Sequence, residues 1–240
     1  MSGIPYNKAQ ALRDETEIGF KCVRHGLQKL EELRGMHTDY YITFLLLGNG
    51  LERILKVLIC FDEFDKKQKF PGSDELRRQF NHGLTKLNDR VVKICEEYPL
   101  YSQASARIEE INFIKNNTDF NKVIKMISDF LESSRYYNLN IVTEDKKQKE
   151  PKSPHEILMD FRSDYSTRNP NIQEMAWLAD MTPFYTHIHS YLIELLQRYI
   201  RFLALCFTQG AFGSSARQYS VSLLNPFLDL TDNNLSKIKF

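Results

Sequence analysis

Glycine and proline are scarce in this chain, at 10 and 8 of its 240 residues. Few breakers, with long stretches between them, favour helices over many short strands. Charge of one sign is lacking too. Lys plus Arg total 32 and Asp plus Glu total 31, so there is no overall basic excess of the kind that marks a nucleic-acid coat or a membrane-surface binder. Cysteine is limited to Cys22, Cys60, Cys95 and Cys206, with no CxxC among them. That argues against a zinc knuckle or redox pair, and the thiols are expected to be reduced core residues.

Several chemical signatures are absent. The sequence has no phosphate-binding glycine loop, no GxSxG, no HExxH and no acidic cluster with metal-ligand spacing, which argues against nucleotide hydrolases, serine hydrolases and zinc peptidases. No cofactor or metal is expected. Long apolar runs are missing as well. Residues 40–47 are too few to span a bilayer, and 191–207 are interrupted by Glu194, Gln197, Arg198 and Arg201, which would be costly in lipid. Residues 1–10 lack the apolar core of a signal peptide. The expectation is a soluble, cytoplasmic protein with no membrane contact.

What the chain does have is 42% apolar and 26% charged residues, ordinary globular usage with enough apolar side chain for a sizeable core. Apolar positions recur at helical spacing over 11–33, 38–61, 73–98, 104–115, 120–133, 154–161 and 183–209. The fold expected is all-α: a bundle of five or more helices, with 40–61, 73–98 and 183–209 the longest and Leu47, Leu55, Leu84, Leu196 and Leu203 buried. Residues 1–209 read as one domain. Residues 210–240 read as an irregular tail, strand-like around 219–223, that docks on the domain or on a partner. Residues 143–153 read as an exposed loop, and 169–182 as an irregular region around Trp177. The aromatic run RYYNLN at 135–140 is expected to pack on the bundle. Gly48 and Gly50, inside the second helix, point either to a close helix crossing or to a ligand contact. The 183–209 helix is apolar on nearly every side, which points to self-association, because uncovered apolar surface of that size marks interfaces.

Two constellations could carry chemistry. On the third helix, Arg78 and His82 are four apart and share a face, with Arg77 beside them. A histidine there could move a proton while a guanidinium holds a phosphate. On the last helix His187, Ser190, Glu194, Arg198 and Arg201 form a polar stripe, either a solvent face or the wall of a binding cleft. His187 and His189 are two apart and make a poor metal pair on a helix.

Two segments carry a family resemblance. GNGLERILK at 48–56 and NHGLTKL at 81–87 resemble the "GLE..LK" helix and the "GH.L..L" helix of the HEPN superfamily, helical-bundle proteins of bacterial antiviral defence, toxin–antitoxin and abortive-infection systems. The resemblance covers 38–95 and implies a metal-independent endoribonuclease or an RNA-binding protein that acts as a homo-oligomer or with a partner protein. Catalytic members of that family place an Arg a few residues before a His on a late helix. Here the late helix has Arg198 and Arg201 with no histidine following, and the spacing is met by Arg77 and His82. The contrasting expectation is a non-catalytic helical module that assembles with itself or a partner.

Overall fold

Gly48 and Gly50 set the packing at the centre of the molecule. The computed structural model of the protein describes residues 3–33, 37–143, 152–178, 180–218 and 224–237. In it α1 (Tyr6–Glu32) lies antiparallel against α2 (His37–Lys67). The pairings run Glu15 to Arg53, Gly19 to Gly50 and Gly26 to Leu47. A Cβ on Gly50 would fall 2.7 Å from the Gly19 carbonyl oxygen and 2.8 Å from the Val23 nitrogen. Gly48 lies against the Leu131 side chain. Both glycines therefore serve helix crossings. The first half of α2, apolar in sequence, is not buried all round: Tyr40, Phe44 and Leu47 are in the core, but Ile42 is exposed.

The long helix expected over 73–98 is broken. Its place is taken by α3 (Ser73–Phe80) and α4 (Leu84–Glu97). Asn81 adopts a positive φ of 46°, a conformation that Asn tolerates better than most residues. The Gly83 N–H closes the turn onto the Phe80 carbonyl at 2.7 Å. Two neighbours pin it: Lys56 Nζ donates to the Asn81 carbonyl at 2.9 Å, and the Ser128 hydroxyl accepts from the first N–H of α4 at 3.0 Å. Phe80 and Leu84 still both reach the core.

Beyond the break come α5 (Pro99–Gln103), α6 (Ser105–Asn116) and α7 (Thr118–Glu132). The Asn117 side chain caps α7 by accepting from the Phe120 N–H at 2.8 Å, satisfying one of the orphan donors of a helix start. RYYNLN forms a 3₁₀ turn (Ser134–Tyr136) and the start of α8 (Tyr137–Val142). Only part of it packs: Tyr136 and Leu139 are 52% and 60% exposed. The loop expected over 143–153 falls mostly outside the described residues.

A capping box between Ser153 and Glu156 starts α9 (Pro154–Arg168), longer than the segment expected there. Part of the region expected to be irregular forms α10 (Pro170–Met175), and Trp177 stands 81% exposed. With α11 (Thr182–Gln209) the bundle closes, and Gly210 ends that helix in the left-handed conformation, φ 79°, where glycine is the natural residue. The remaining helices are α12 (Ser214–Gln218) and α13 (Asn225–Leu228). Among the described residues there is no strand. The strand-like pattern at 219–223 lies outside them.

The fold is an all-α bundle, and Leu47, Leu55, Leu84, Leu196 and Leu203 are all buried. The apolar residues of α11 that motivated self-association are covered within one chain: Leu192, Leu195, Leu196, Tyr199, Phe202 and Phe207 all lie in the core. Part of the cover comes from the tail, where Phe212, Leu224 and Phe227 are buried and Phe227 tilts against Phe20 at 5.4 Å. Large apolar side chains are exposed elsewhere, on α8 and around Trp177. No helix among the described residues is long and apolar enough to cross a membrane.

Candidate functional site

The second half of α2 divides its residues by face. Leu51, Ile54, Leu55 and Leu58 enter the core, which leaves Glu52, Arg53 and Lys56 on the opposite side. These three line an open cavity of about 740 Å³ together with Glu15 from α1, Asn49, Cys60, His82, Arg135 and Tyr136. His82 arrives from the α3–α4 turn. Arg135 and Tyr136 arrive from the 3₁₀ turn after α7. The cavity thus gathers both segments that carry the family resemblance.

His82 Nδ1 lies 3.1 Å from both oxygens of Glu52. A carboxylate is an acceptor only, so Nδ1 bears the proton and Nε2 is left as the basic nitrogen. Lys56 donates to the same carboxylate at 2.5 Å and so anchors it. Arg53 pairs with Glu15 across the helix crossing. Arg135 differs: its described hydrogen bond goes to the neutral Tyr136 hydroxyl at 2.9 Å, so no described carboxylate offsets its charge. The arrangement suits holding an anion and exchanging a proton beside it.

Cys60 is also in the cavity wall, and burial, then the nearby Glu63, push its thiol from an ordinary 9.0 to about 11. Both effects disfavour the thiolate, the reactive form. At pH 8 iodoacetamide should therefore modify Cys60 in the folded protein roughly 100-fold more slowly than in urea, read residue by residue by mass spectrometry. Equal rates in the two states would show that the thiol is not protected. Cys95 and Cys206 are fully buried, with their sulfurs 3.6 Å apart.

The other sequence-derived candidates are placed differently. Because the helix breaks at Asn81, Arg78 and His82 are not one helical turn apart, and neither Arg77 nor Arg78 lines the cavity. Both are exposed, and Arg77 lies 3.6 Å from Asp74 on its own helix. The arginines that share the cavity with His82 are Arg53 and Arg135. Sequence reasoning passed over them, although Arg53 lies inside GNGLERILK and Glu52–Lys56 was legible as a helical ion pair.

The polar stripe of α11 is divided between two settings. His187 Nε2 sits 3.3 Å from the Tyr165 hydroxyl, and Glu194 is exposed. Nearby, burial and a hydrogen bond to Asp119 raise the pKa of Tyr191. Arg198 and Arg201 both turn to Glu110 of α6, at 3.0 and 2.6 Å. Arg201 also holds the tail through Asp232 at 2.7 Å and the Leu230 carbonyl at 3.3 Å.

Arg162 of α9 forms a separate buried cluster, being 1% exposed. Its guanidinium lies over the rings of Tyr40 and Tyr185, at 5.4 and 4.7 Å, donates to the Tyr40 hydroxyl at 3.2 Å and meets His189 Nε2 at 2.5 Å. Since a guanidinium can only donate, Nε2 of His189 is the acceptor. Two aromatic rings lie beside the cation, which stabilises it in place of water.

The chain matches no family model, no curated protein and no solved structure.

Proposed function

We propose that this chain is a HEPN-like helical protein that acts on RNA without a metal, through the cavity between α1, α2 and the α3–α4 turn. The observation that carries the reading is His82 held by Glu52 in a cavity that Arg53, Lys56 and Arg135 also line. The RNA's own 2′-hydroxyl is the nucleophile. Nε2 of His82 takes its proton as the oxygen attacks phosphorus, and the bond to the 5′-oxygen breaks as that oxygen takes up a proton from solvent water. The products are a 2′,3′-cyclic phosphate and a 5′-hydroxyl. Arg135, with Arg53 also in the cavity wall, holds the phosphate oxygens in the part first sought in Arg77 and Arg78. By the family resemblance, such an activity belongs to a bacterial defence or stress-response system.

Single-stranded RNA incubated with the protein in EDTA should be cut. His82→Ala should lower the rate about 100-fold or more, the usual worth of a positioned proton-transfer group. The His82 side chain is 44% exposed, so the variant's melting temperature should stay within a few degrees of the parent. Uncut RNA, an unimpaired variant, or a variant that unfolds would each overturn the assignment.

A second reading, a non-catalytic module that binds a second copy or a partner protein, is favoured by one observation: the exposed Leu139, Ile141 and Val142 of α8. Light scattering at tens of micromolar and the EDTA assay together separate the two.

A further inference from the structure

A second cavity, of about 860 Å³, adjoins the first and shares with it a wall made of Tyr41, Arg135 and Tyr136. The two differ in chemistry. The first holds the histidine, the carboxylates and Arg53 and Lys56. The second is lined by Tyr137, Ile42, Leu139, Pro154 and His155, with Glu156 its one acidic residue among those described. A ligand lying across both would put an anionic group on one side of the shared wall and a flat apolar group on the other.

The wall is built for such a ligand. Tyr136 is 52% exposed, too much for a ring whose role is packing. Its hydroxyl is tied to the Arg135 guanidinium at 2.9 Å, and that guanidinium lies 5.1 Å from the ring centroid. Tyr41, in the same wall, packs edge-to-face with Phe130 at 5.4 Å. A cation coupled to an exposed aromatic face is the arrangement by which proteins hold an unpaired base beside its phosphate, since every base offers a π-face and every linkage a charge. Duplex bases are already stacked on one another and cannot use it.

We propose that the second cavity is the base-binding subsite for single-stranded nucleic acid. Tyr136 is the stacking platform, and Arg135 holds the phosphate between the two cavities. This rests on the reading that the first cavity takes a phosphodiester. It adds a requirement for an unpaired base next to that phosphate, and it assigns α8 to ligand rather than to a protein partner.

The test uses the full chain and a fluorescein-labelled, fully 2′-deoxy oligonucleotide, which binds without being cut, read by fluorescence anisotropy. Tyr136→Ala should weaken binding about tenfold or more, the usual effect of removing a stacking ring. Tyr136→Phe, which keeps the ring and loses the bond to Arg135, should stay within about threefold of the parent, and a duplex of the same sequence should bind worse than the single strand. If the parent protein binds no oligonucleotide, the subsite falls, and if it also leaves RNA uncut in EDTA, the reading of the first cavity falls with it. If it binds and cuts RNA but Tyr136→Ala binds equally well, or the duplex binds as tightly, only the subsite falls. If Tyr136→Ala changes the mass seen by light scattering and leaves the affinity untouched, α8 is a protein interface and the subsite is again overturned.

Discussion

Replacing Glu110 by alanine is expected to destabilise the protein by about 3 kcal/mol, because it removes the buried partner of a buried cation. Arg201 is 8% exposed and Glu110 7%. Breaking such a pair from one side leaves a charge with neither water nor counter-charge, at a cost of about 3–5 kcal/mol. The lower end applies here because Asp232 still accepts from Arg201 at 2.7 Å, although its side chain is 78% exposed and its field is screened by solvent. For the same reason Asp232→Ala should cost under about 1 kcal/mol. Urea unfolding of the two variants checks this, and equal losses would mean that the tail contact, not the buried carboxylate, holds Arg201. In a chain of this size the Glu110 variant should melt about 6–12 °C lower.

That cluster also marks a limit of the sequence. Arg198 and Arg201 were legible as polar positions on an otherwise apolar helix, because side chains three apart fall on one face. Their partners were not, since Glu110 lies 91 positions from Arg201 and Asp232 lies 31, and no local pattern joins them. The helix break at Asn81 was hidden for another reason. Phe80, Leu84, Leu87 and Val91 keep helical spacing straight through it, and all are buried, so the apolar stripe carries no mark of the interruption. The signal lay in Asn81 and Gly83, residues that accept unusual backbone angles. The break shapes the candidate site, because it moves His82 off the face of Arg78 and onto Glu52. The candidate site was thus half visible: Glu52, Lys56 and His82 stood within the two recognised segments, whereas Glu15 and Arg135 joined them only through tertiary closure. RYYNLN shows the opposite error. Its aromatic content read as packing, yet its most exposed ring lies in the wall between two cavities.

The clearest agreement between sequence and fold is at Gly50, where the second large effect is expected. Gly50→Ala should cost about 3 kcal/mol or more, the upper range for inserting a methyl group into a packed site. Alanine's better helix propensity offsets about 1 kcal/mol of a larger gross clash. The reason is what the new carbon would meet. At Gly50 it would lie 2.7 Å from the Gly19 oxygen and 2.8 Å from the Val23 nitrogen, both backbone atoms. No rotamer change moves those atoms, so α1 and α2 must separate along their whole contact. At Gly48 the close neighbours are the Leu131 side-chain carbons, the nearest at 2.8 Å. A leucine can turn aside, so Gly48→Ala should cost less. At Gly72 nothing lies within 4 Å, and Gly72→Ala should be neutral to within about 0.5 kcal/mol, as surface substitutions generally are. Scanning calorimetry should therefore rank the melting temperatures Gly72→Ala above Gly48→Ala above Gly50→Ala. A Gly50→Ala protein as stable as the parent would mean that α1 and α2 do not cross backbone to backbone. The cavity would lose its frame with them, because Glu15 on α1 and Arg53 on α2 meet only where that crossing brings them together.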